Sequence, residues 1–159
     1  MKLRFNDLDE LCSHLNRIES HNHRPLRKWS AAQNFFHLAG AFEGSIEGLP
    51  TGFPFFLRKV VRPFRWILTR FRMPPLVPIP AAIRFKLEPS DDADFIEQKE
   101  RLFTAIEAFR SFDGELSPHP VIGKLTRDEW TGFHLRHCER HLSFISLSVA
   151  DNDSESRFT

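Results

Sequence analysis

The sequence predicts an all-α fold, a four-helix bundle with a long connection between its second and third helices. Four stretches carry apolar residues at every third or fourth position, the spacing of one face of a helix. Two of them open with capping boxes, and no segment combines strict apolar–polar alternation with turn residues. Packing four such stripes against one another is the simplest way to remove them from water.

The first two helices are predicted from an apolar stripe and from a start and a stop signal. The first stripe consists of Phe5, Leu8, Leu11, Leu15 and Ile18. The second helix begins at Ser30, because a serine followed three residues later by Gln33 can satisfy free backbone N–H groups reciprocally. It ends near Gly48, which Pro50 follows.

The third and fourth helices are predicted in the second half of the chain. The third covers about 90–112 and stops before Gly114. Three aspartates occupy its first turn, where the helix dipole favours negative charge: Asp91, Asp92 and Asp94. The fourth opens with the capping box that starts at Thr126 and ends with Glu129, and it runs to about Ser148.

The connection between the second and third helices is long, Pro-rich and basic. From 48 to 87 the chain has eight Lys or Arg and no Asp or Glu. Helices of a bundle are usually joined by about 2–8 residues, so this length predicts a crossover. Within it, 53–73 carries apolar residues at helical spacing with arginines between them, a pattern that can contact a partner or an anionic membrane surface.

Length and composition predict one domain over 1–150 and a disordered tail over 151–159. The 159 residues have a net charge of +1, so we expect no sequence-specific nucleic-acid partner. The two cysteines are far apart and exclude a disulfide scaffold. The N-terminus lacks the apolar run of a signal peptide, and we therefore expect a cytoplasmic protein.

Three histidines of the fourth helix point where its apolar stripe points. At about 100° per residue, His134, His137 and His141 share a face with Trp130, whereas Glu139 lies on the opposite face. A buried imidazole nitrogen without a partner costs about 1–3 kcal/mol, so three inward rings need a reason. A divalent metal ion would satisfy such nitrogens directly.

The spacing within this group indicates which histidines bind the ion. His137 and His141 are four residues apart and can chelate from one side of a helix. His37 is the only histidine inside the second helix and is the candidate third ligand. Its face also carries Gly40 and Gly44, which predicts that this helix is buried on two sides with space beside the ring.

Two other histidines each have two interpretations. His134 either orients a ligand or substrate from one turn before His137, or is a hydrogen-bonded core residue. His119, between two prolines, either lines the mouth of a pocket or builds a turn. Three further histidines are expected at the surface: His14, His21 and His23.

Three blocks of the chain resemble the DinB/YfiT-like superfamily of metal-dependent enzymes, in an uncharacterised branch. They are 29–39, with its W-S-x-x-Q opening and His37, the segment 119–126, and the histidine-rich 134–142. The resemblance implies up-down-down-up connectivity, which explains the long crossover. It also implies a zinc or nickel ion on His37, His137 and His141, a low-molecular-weight thiol as a second cofactor in some relatives, and homodimers.

Residues and resemblance together predict a metal-dependent enzyme that acts on a small-molecule substrate, as a thiol-dependent transferase or a hydrolase. Three neutral ligands leave the full charge on the ion, so a bound water or thiolate becomes a nucleophile near neutral pH. No side chain stands out as a general base, and no catalytic residue is assigned. The alternative is a helical bundle without catalysis, whose histidines are structural and whose basic 53–73 segment binds a partner or a membrane surface.

Overall fold

The computed structural model describes residues 3–21, 23–50, 66 and 84–147. Over these ranges the chain is mostly helical, with four main helices and one small sheet. The helices are α1 (Leu8–Asn16), α2 (Ala31–Glu47), α3 (Phe95–Ser111) and α4 (Arg127–Leu142). The antiparallel strands are β1 (His23–Pro25) and β2 (Ile145–Leu147), and a one-turn helix covers Arg84–Leu87.

The capping boxes predicted for α2 and α4 are confirmed. Ser30 Oγ accepts from the N–H of Gln33 at 3.2 Å, and Gln33 Oε1 accepts from the N–H of Ser30 at 2.9 Å. Thr126 and Glu129 make the same reciprocal pair at 3.2 and 2.9 Å. Gly48 ends α2 with φ of +89°, a conformation that glycine adopts without steric cost.

The predicted start of the third helix is wrong by about five residues. Asp94 caps α3, its carboxylate accepting from the N–H of Glu97 at 2.8 Å. The preceding turn is held instead by Gln33 of α2, whose side-chain N–H group donates to Ser90 O at 3.1 Å and to Asp91 Oδ1 at 3.2 Å. This tertiary contact fixes residues 90–91 outside the helix.

The predicted end of the fourth helix is also wrong, as is the expectation of no strand. The helix stops at Leu142, and β2 then pairs with β1, with Pro25 opposite Ile145 and His23 opposite Leu147. The ladder continues into the loop, because the N–H of Leu26 donates to Phe144 O at 2.7 Å. Three-residue strands are too short to produce a recognisable alternation.

The four helices share one buried apolar core. α2 packs most extensively against α3 and also against α4, and α1 contacts both α3 and α4. The largest fully buried apolar side chains include Phe35, Phe42, Phe109, Trp130 and Leu142. Nearly all of α2 is buried, so the prediction that this helix is covered on two sides is confirmed. The up-down-down-up connectivity stays a prediction.

A buried ion pair ties the segment before α1 to the face of α4 opposite the histidines. Glu139 Oε1 lies 2.8 Å from Arg136 Nη2 and accepts from the N–H of Phe5 at 2.7 Å. Arg136 Nη2 in turn donates to the carbonyl oxygen of Phe5. Both side chains are almost fully buried, so Glu139 serves as a structural clamp.

Two predicted segments lie outside the described residues. They are 53–73, apart from the exposed Trp66, and the tail 151–159. The single-domain prediction over 1–150 is likewise untested. Among the helices that the structure describes, none combines the length and apolarity needed to cross a membrane.

Candidate metal centre

The structure brings together three imidazoles from two helices. His37 of α2 meets His137 and His141 of α4, and one nitrogen of each ring lies within 4.8 Å of the other two. The ring centroids form a nearly equilateral triangle, with sides of 5.0 Å (His37 to His137), 4.6 Å (His37 to His141) and 4.8 Å (His137 to His141). Three rings so placed are within reach of one ion.

One nitrogen pair of the triangle already has a spacing that suits a small divalent ion. The Nε2 atoms of His37 and His137 are 3.1 Å apart. Two imidazole nitrogens on a tetrahedral zinc ion, each at about 2.0–2.1 Å, lie about 3.3–3.4 Å apart. Imidazole is a preferred ligand of zinc, nickel, copper and iron, so the donor set suits a transition metal.

The orientation of His37 is fixed by a backbone carbonyl. Its Nδ1 lies 2.9 Å from Leu87 O. A carbonyl oxygen only accepts, so Nδ1 carries the proton and the lone pair of the neutral ring is on Nε2, the atom that faces His137. The one-turn helix Arg84–Leu87 thereby supports the site from outside its two main helices.

Gly40 allows this one-turn helix to come so close. A Cβ atom at position 40 would lie 2.6 Å from Lys86 O and 3.0 Å from a methyl group of Leu87. The expectation of empty space beside the His37 ring is therefore wrong at this position. Backbone that supplies the acceptor for His37 fills the room that the glycine leaves.

The orientation of His141 is fixed by Asn34. The Nδ1 atom of His141 lies 3.0 Å from Asn34 Oδ1, so it donates, and its Nε2 lone pair is free for an ion. Asn34 is held in turn, because its side-chain N–H group donates to Ser30 O at 2.8 Å. The first turn of α2 thus positions a ring on α4.

Burial keeps all three rings neutral. His37 and His137 are buried and His141 is partly buried. Desolvation lowers the pKa of His37, and it lowers the pKa values of His137 and His141 well below the ordinary imidazole value. The neighbouring rings lower the pKa values of the two α4 histidines further. Neutral imidazole is the form that binds a metal ion.

The Nδ1 atom of His137 has no hydrogen-bond partner among the described residues. When its Nε2 points to His37, the ring has only one satisfied nitrogen. The ring instead contacts Phe133, at 5.5 Å between centroids. Of the three rings in the triangle, His137 is thus the one that packing positions.

His134 lies in an aromatic box. Its ring stacks on Phe42 at 3.9 Å and on Trp130 at 5.2 Å, and it meets Phe109 edge-on at 4.9 Å. Neither ring nitrogen has a hydrogen-bond partner within the described part of the chain, and desolvation lowers the pKa of His134 to about 3. The ring makes no hydrogen bond to any histidine of the triangle.

His119 builds a turn. Its Nδ1 accepts from the N–H groups of Val121 at 3.1 Å and Ile122 at 3.3 Å, and residues His119 and Gly123 form a bridge. Its ring contacts Phe133 at 4.7 Å. These contacts agree with the interpretation that His119 builds a turn, and His119 also lies near enough to His137 to lower the pKa of that ring.

Among the histidines expected at the surface, His14 is buried, so that expectation is wrong. Its Nδ1 lies 3.0 Å from Arg17 Nη2, and its ring contacts Phe5 at 5.4 Å. Desolvation lowers its pKa. His21 is exposed as expected, and His23 is partly buried against Phe95.

Sequence reasoning missed three contributors to the site. Trp29 covers His37 and His141, at 5.2 and 5.9 Å between ring centroids. The role of Asn34 could have been predicted, because Asn34 lies one helical turn before His37 on the same face of α2. The role of the Leu87 carbonyl could not have been predicted, because the position of a backbone acceptor does not depend on the pattern of side chains.

The fold and this cluster define a helical protein with a largely buried three-histidine triangle, in which His37 and His137 are 100 positions apart in sequence. The chain belongs to the family described as "Protein of unknown function (DUF1569)", whose model matches residues 1–147. No curated protein and no solved structure shows significant similarity to the chain. The family description does not name the DinB/YfiT-like superfamily, so that resemblance stays a prediction.

Proposed function

We propose that this chain is a divalent-metal-dependent enzyme whose ion is held by His37, His137 and His141. The observation that carries the proposal is the convergence of three neutral imidazole nitrogens within 4.8 Å. Leu87 O and Asn34 Oδ1 occupy the far nitrogens of two of these rings, which leaves their near nitrogens for an ion. Such outer contacts orient metal-binding histidines in many proteins.

The class of reaction follows from the ligands and from the resemblance. Three neutral ligands leave the full charge on a zinc or nickel ion, which then activates a bound water or binds a thiolate. A transferase that uses a low-molecular-weight thiol, or a hydrolase, fits this chemistry. In this proposal the three histidines hold the ion, and the burial of His37 and His137 keeps water away from these two rings. Glu139 is engaged in the buried clamp on Phe5.

The remaining features of the proposal come from the resemblance to the DinB/YfiT-like superfamily. They are up-down-down-up connectivity, a homodimer and a small-molecule substrate. A cytoplasmic location is proposed from the sequence features given above.

Metal analysis of the purified chain tests the proposal. We expect about one equivalent of zinc or nickel per chain in the wild type and none in His137→Ala. His21→Ala, which removes an exposed histidine, should keep the ion. Helical circular dichroism shows whether each variant is folded, and unchanged metal in a folded His137→Ala would contradict the ligand assignment. A thiol-transfer screen on the metal-loaded protein then separates transferase from hydrolase.

A further inference from the structure

The backbone acceptor of His37 belongs to a short segment whose position depends on the rest of the fold. Among the described elements, the one-turn helix Arg84–Leu87 packs chiefly on α2. Arg84 is exposed, Lys86 is partly buried and Leu87 is buried. A single helical turn is not stable by itself in water. The place of the Leu87 carbonyl is therefore set by how this turn docks on α2.

The structure records an apolar contact, an ion pair and a hydrogen bond between the one-turn helix and α2. The Leu87 side chain lies against Gly40. Lys86 Nζ donates to Glu47 Oε2 at 3.0 Å, in a partly exposed pair that water and salt weaken. Leu87 O accepts from His37 Nδ1. Of these contacts, the hydrogen bond is the one that involves a ring of the triangle.

This hydrogen bond joins the one-turn helix to the nitrogen that would bind the ion. The ring of His37 has Nδ1 on the side of Leu87 O and Nε2 on the side of His137. A cation on Nε2 draws electron density from the ring, so the Nδ1–H group becomes a stronger donor to the carbonyl. The docked position of the one-turn helix is therefore more stable when the ion is bound than when it is not.

A link of this kind acts equally in both directions. Docking of the one-turn helix raises the ion affinity by some factor, and the ion must lower the opening of that helix by the same factor. Loss of an acceptor behind a metal-binding histidine typically weakens metal binding by about 10–100-fold. Because local segments open more often than the whole fold, the one-turn helix can open while α2 and α4 stay packed.

We propose that docking of the one-turn helix Arg84–Leu87 on α2 regulates the histidine triangle. The docked helix strengthens ion binding, and the bound ion holds the helix in place. This inference rests on the proposed metal-dependent function. The one-turn helix positions His37, because its contact with the triangle is the bond between Leu87 O and that ring. Whatever displaces this helix from α2 weakens the hold on the ion.

Amide hydrogen exchange of the full chain, with and without zinc, tests the coupling. The probe is the N–H of Glu88, which donates to Arg84 O and exchanges when this turn opens. One bound equivalent of zinc should slow its exchange by about 10–100-fold. The control is the N–H of Phe112, which donates to Ala108 O at the end of α3 and should change by less than about twofold.

Leu87→Ala tests the coupling in the other direction. This variant removes the buried side chain next to Gly40, so the one-turn helix opens more often and zinc affinity should fall. The loss must not exceed the factor by which zinc slows exchange at Glu88 in the wild type. Leu116→Ala removes a leucine of similar burial from the segment between α3 and α4, and it should keep zinc affinity within about twofold.

A charge swap opens the one-turn helix without changing the core. Lys86→Glu places two carboxylates where the ion pair was, and it should speed exchange at Glu88 several-fold in the zinc-free chain. Adding Glu47→Lys restores the pair with its charges reversed and should return exchange to within about twofold of the wild type. If the swap did not restore slow exchange, docking on α2 would not control this turn, and the proposal would be overturned.

Failure of the coupling differs visibly from failure of the metal site. If one equivalent of zinc binds and exchange at Glu88 slows no more than at Phe112, the coupling is overturned and the proposed function is left intact. A loss of zinc affinity in folded Leu87→Ala that exceeds the slowing at Glu88 would also overturn the coupling. If no zinc binds to the wild type, both the coupling and the proposed function are overturned.

Discussion

Asn34 and His37 illustrate how single side chains determine what a buried imidazole can do. On His37 and His141 the Nδ1–H group donates to an oxygen acceptor, so the lone pair of each neutral ring is on Nε2. Without those acceptors either tautomer could form, and a ring with its proton on Nε2 would present that proton to the ion. The chemistry of the site thus begins with two hydrogen bonds that no metal-ligand motif contains.

Removal of the Asn34 acceptor should weaken the site without removing a ligand. Asn34→Ala leaves the Nδ1 proton of His141 without its partner, and we expect metal affinity to fall by about 10–100-fold. Asn34→Asp keeps an oxygen acceptor at that position, although it adds a negative charge and loses the donations to Ser30 O and Trp29 O. We expect it to retain more affinity than the alanine variant, as measured by competition with a chromophoric chelator. Equal loss in both variants would mean that the acceptor does not position the ring.

His134 should contribute to acid sensitivity rather than to metal binding. Its folded pKa, near 3, is lower than that of an unfolded imidazole, near 6.5. Between these values the unfolded chain binds the extra proton, so stability falls as pH falls, by about 1.4 kcal/mol per pH unit for this group. His134→Leu should remove that contribution from the metal-free protein, as read from urea denaturation at several pH values, and should retain the metal.

The control for this prediction is His21→Leu, which alters an exposed ring and should leave the pH dependence of stability unchanged. An unchanged acid slope in His134→Leu would show that the ring is not held neutral by burial. Loss of metal from the folded variant would instead support the reading in which His134 orients a ligand.

At the scale of elements, the sequence correctly predicted those helix starts that are set by interactions within a few residues. The capping boxes at Ser30 and Thr126 are satisfied within three residues, and both were correct. The start of α3 was missed because Gln33, far away in sequence, binds residues 90–91. The β1–β2 pair was missed because its two partners are over a hundred residues apart and very short.

The candidate site likewise has a part that could be predicted from the sequence and a part that could not. The two helices that supply His37, His137 and His141 could be recognised from helical spacing, together with a family resemblance. The burial of Arg136 and Glu139 could not be recognised, because a salt bridge inside the fold has the same sequence pattern as a salt bridge at the surface. The role of Gly40 depends on where the distant one-turn helix Arg84–Leu87 docks.

Gly40→Ala should weaken metal binding through this one-turn helix. The new methyl group would meet Lys86 O at 2.6 Å, and because backbone cannot turn aside, the Leu87 acceptor must move away from His37. We expect a drop in metal affinity of about tenfold or more. In Gly44→Ala on the same helix the nearest atoms to the new methyl group belong to the side chain of Leu49, at 2.6 Å, and a side chain can move where backbone cannot, so the affinity should stay within about twofold. Equal affinity in both variants would contradict this account of the one-turn helix.

The Arg136–Glu139 pair should act on stability alone. Arg136→Met removes the nearer cation from a buried carboxylate that also lies 3.9 Å from the exposed Arg4, and breaking a buried ion pair typically costs about 3–5 kcal/mol. The double variant with Glu139→Gln removes that charge and keeps an acceptor for the N–H of Phe5. Urea denaturation should therefore show the double variant to be more stable than Arg136→Met. If the double variant were the less stable of the two, the buried charge would not be the cause of the loss.

The whole molecule assembles the triangle from segments that are far apart in the chain. α2 and α4 supply the rings, the one-turn helix supplies an acceptor, and the loop after β1 covers the outer side with Trp29. Because these contacts exist only in the folded chain, a bound ion must stabilise the fold in proportion to the logarithm of its concentration over Kd. Metal binding at the proposed site would therefore be coupled to folding.

X-ray absorption of the zinc-loaded chain tests the convergence on one ion most directly. The structure predicts three imidazole nitrogens at about 2.0–2.1 Å, no sulfur ligand, and one imidazole fewer in His37→Gln. A spectrum with sulfur neighbours, with fewer than three imidazoles in the wild type, or with the same imidazole count in His37→Gln would contradict it.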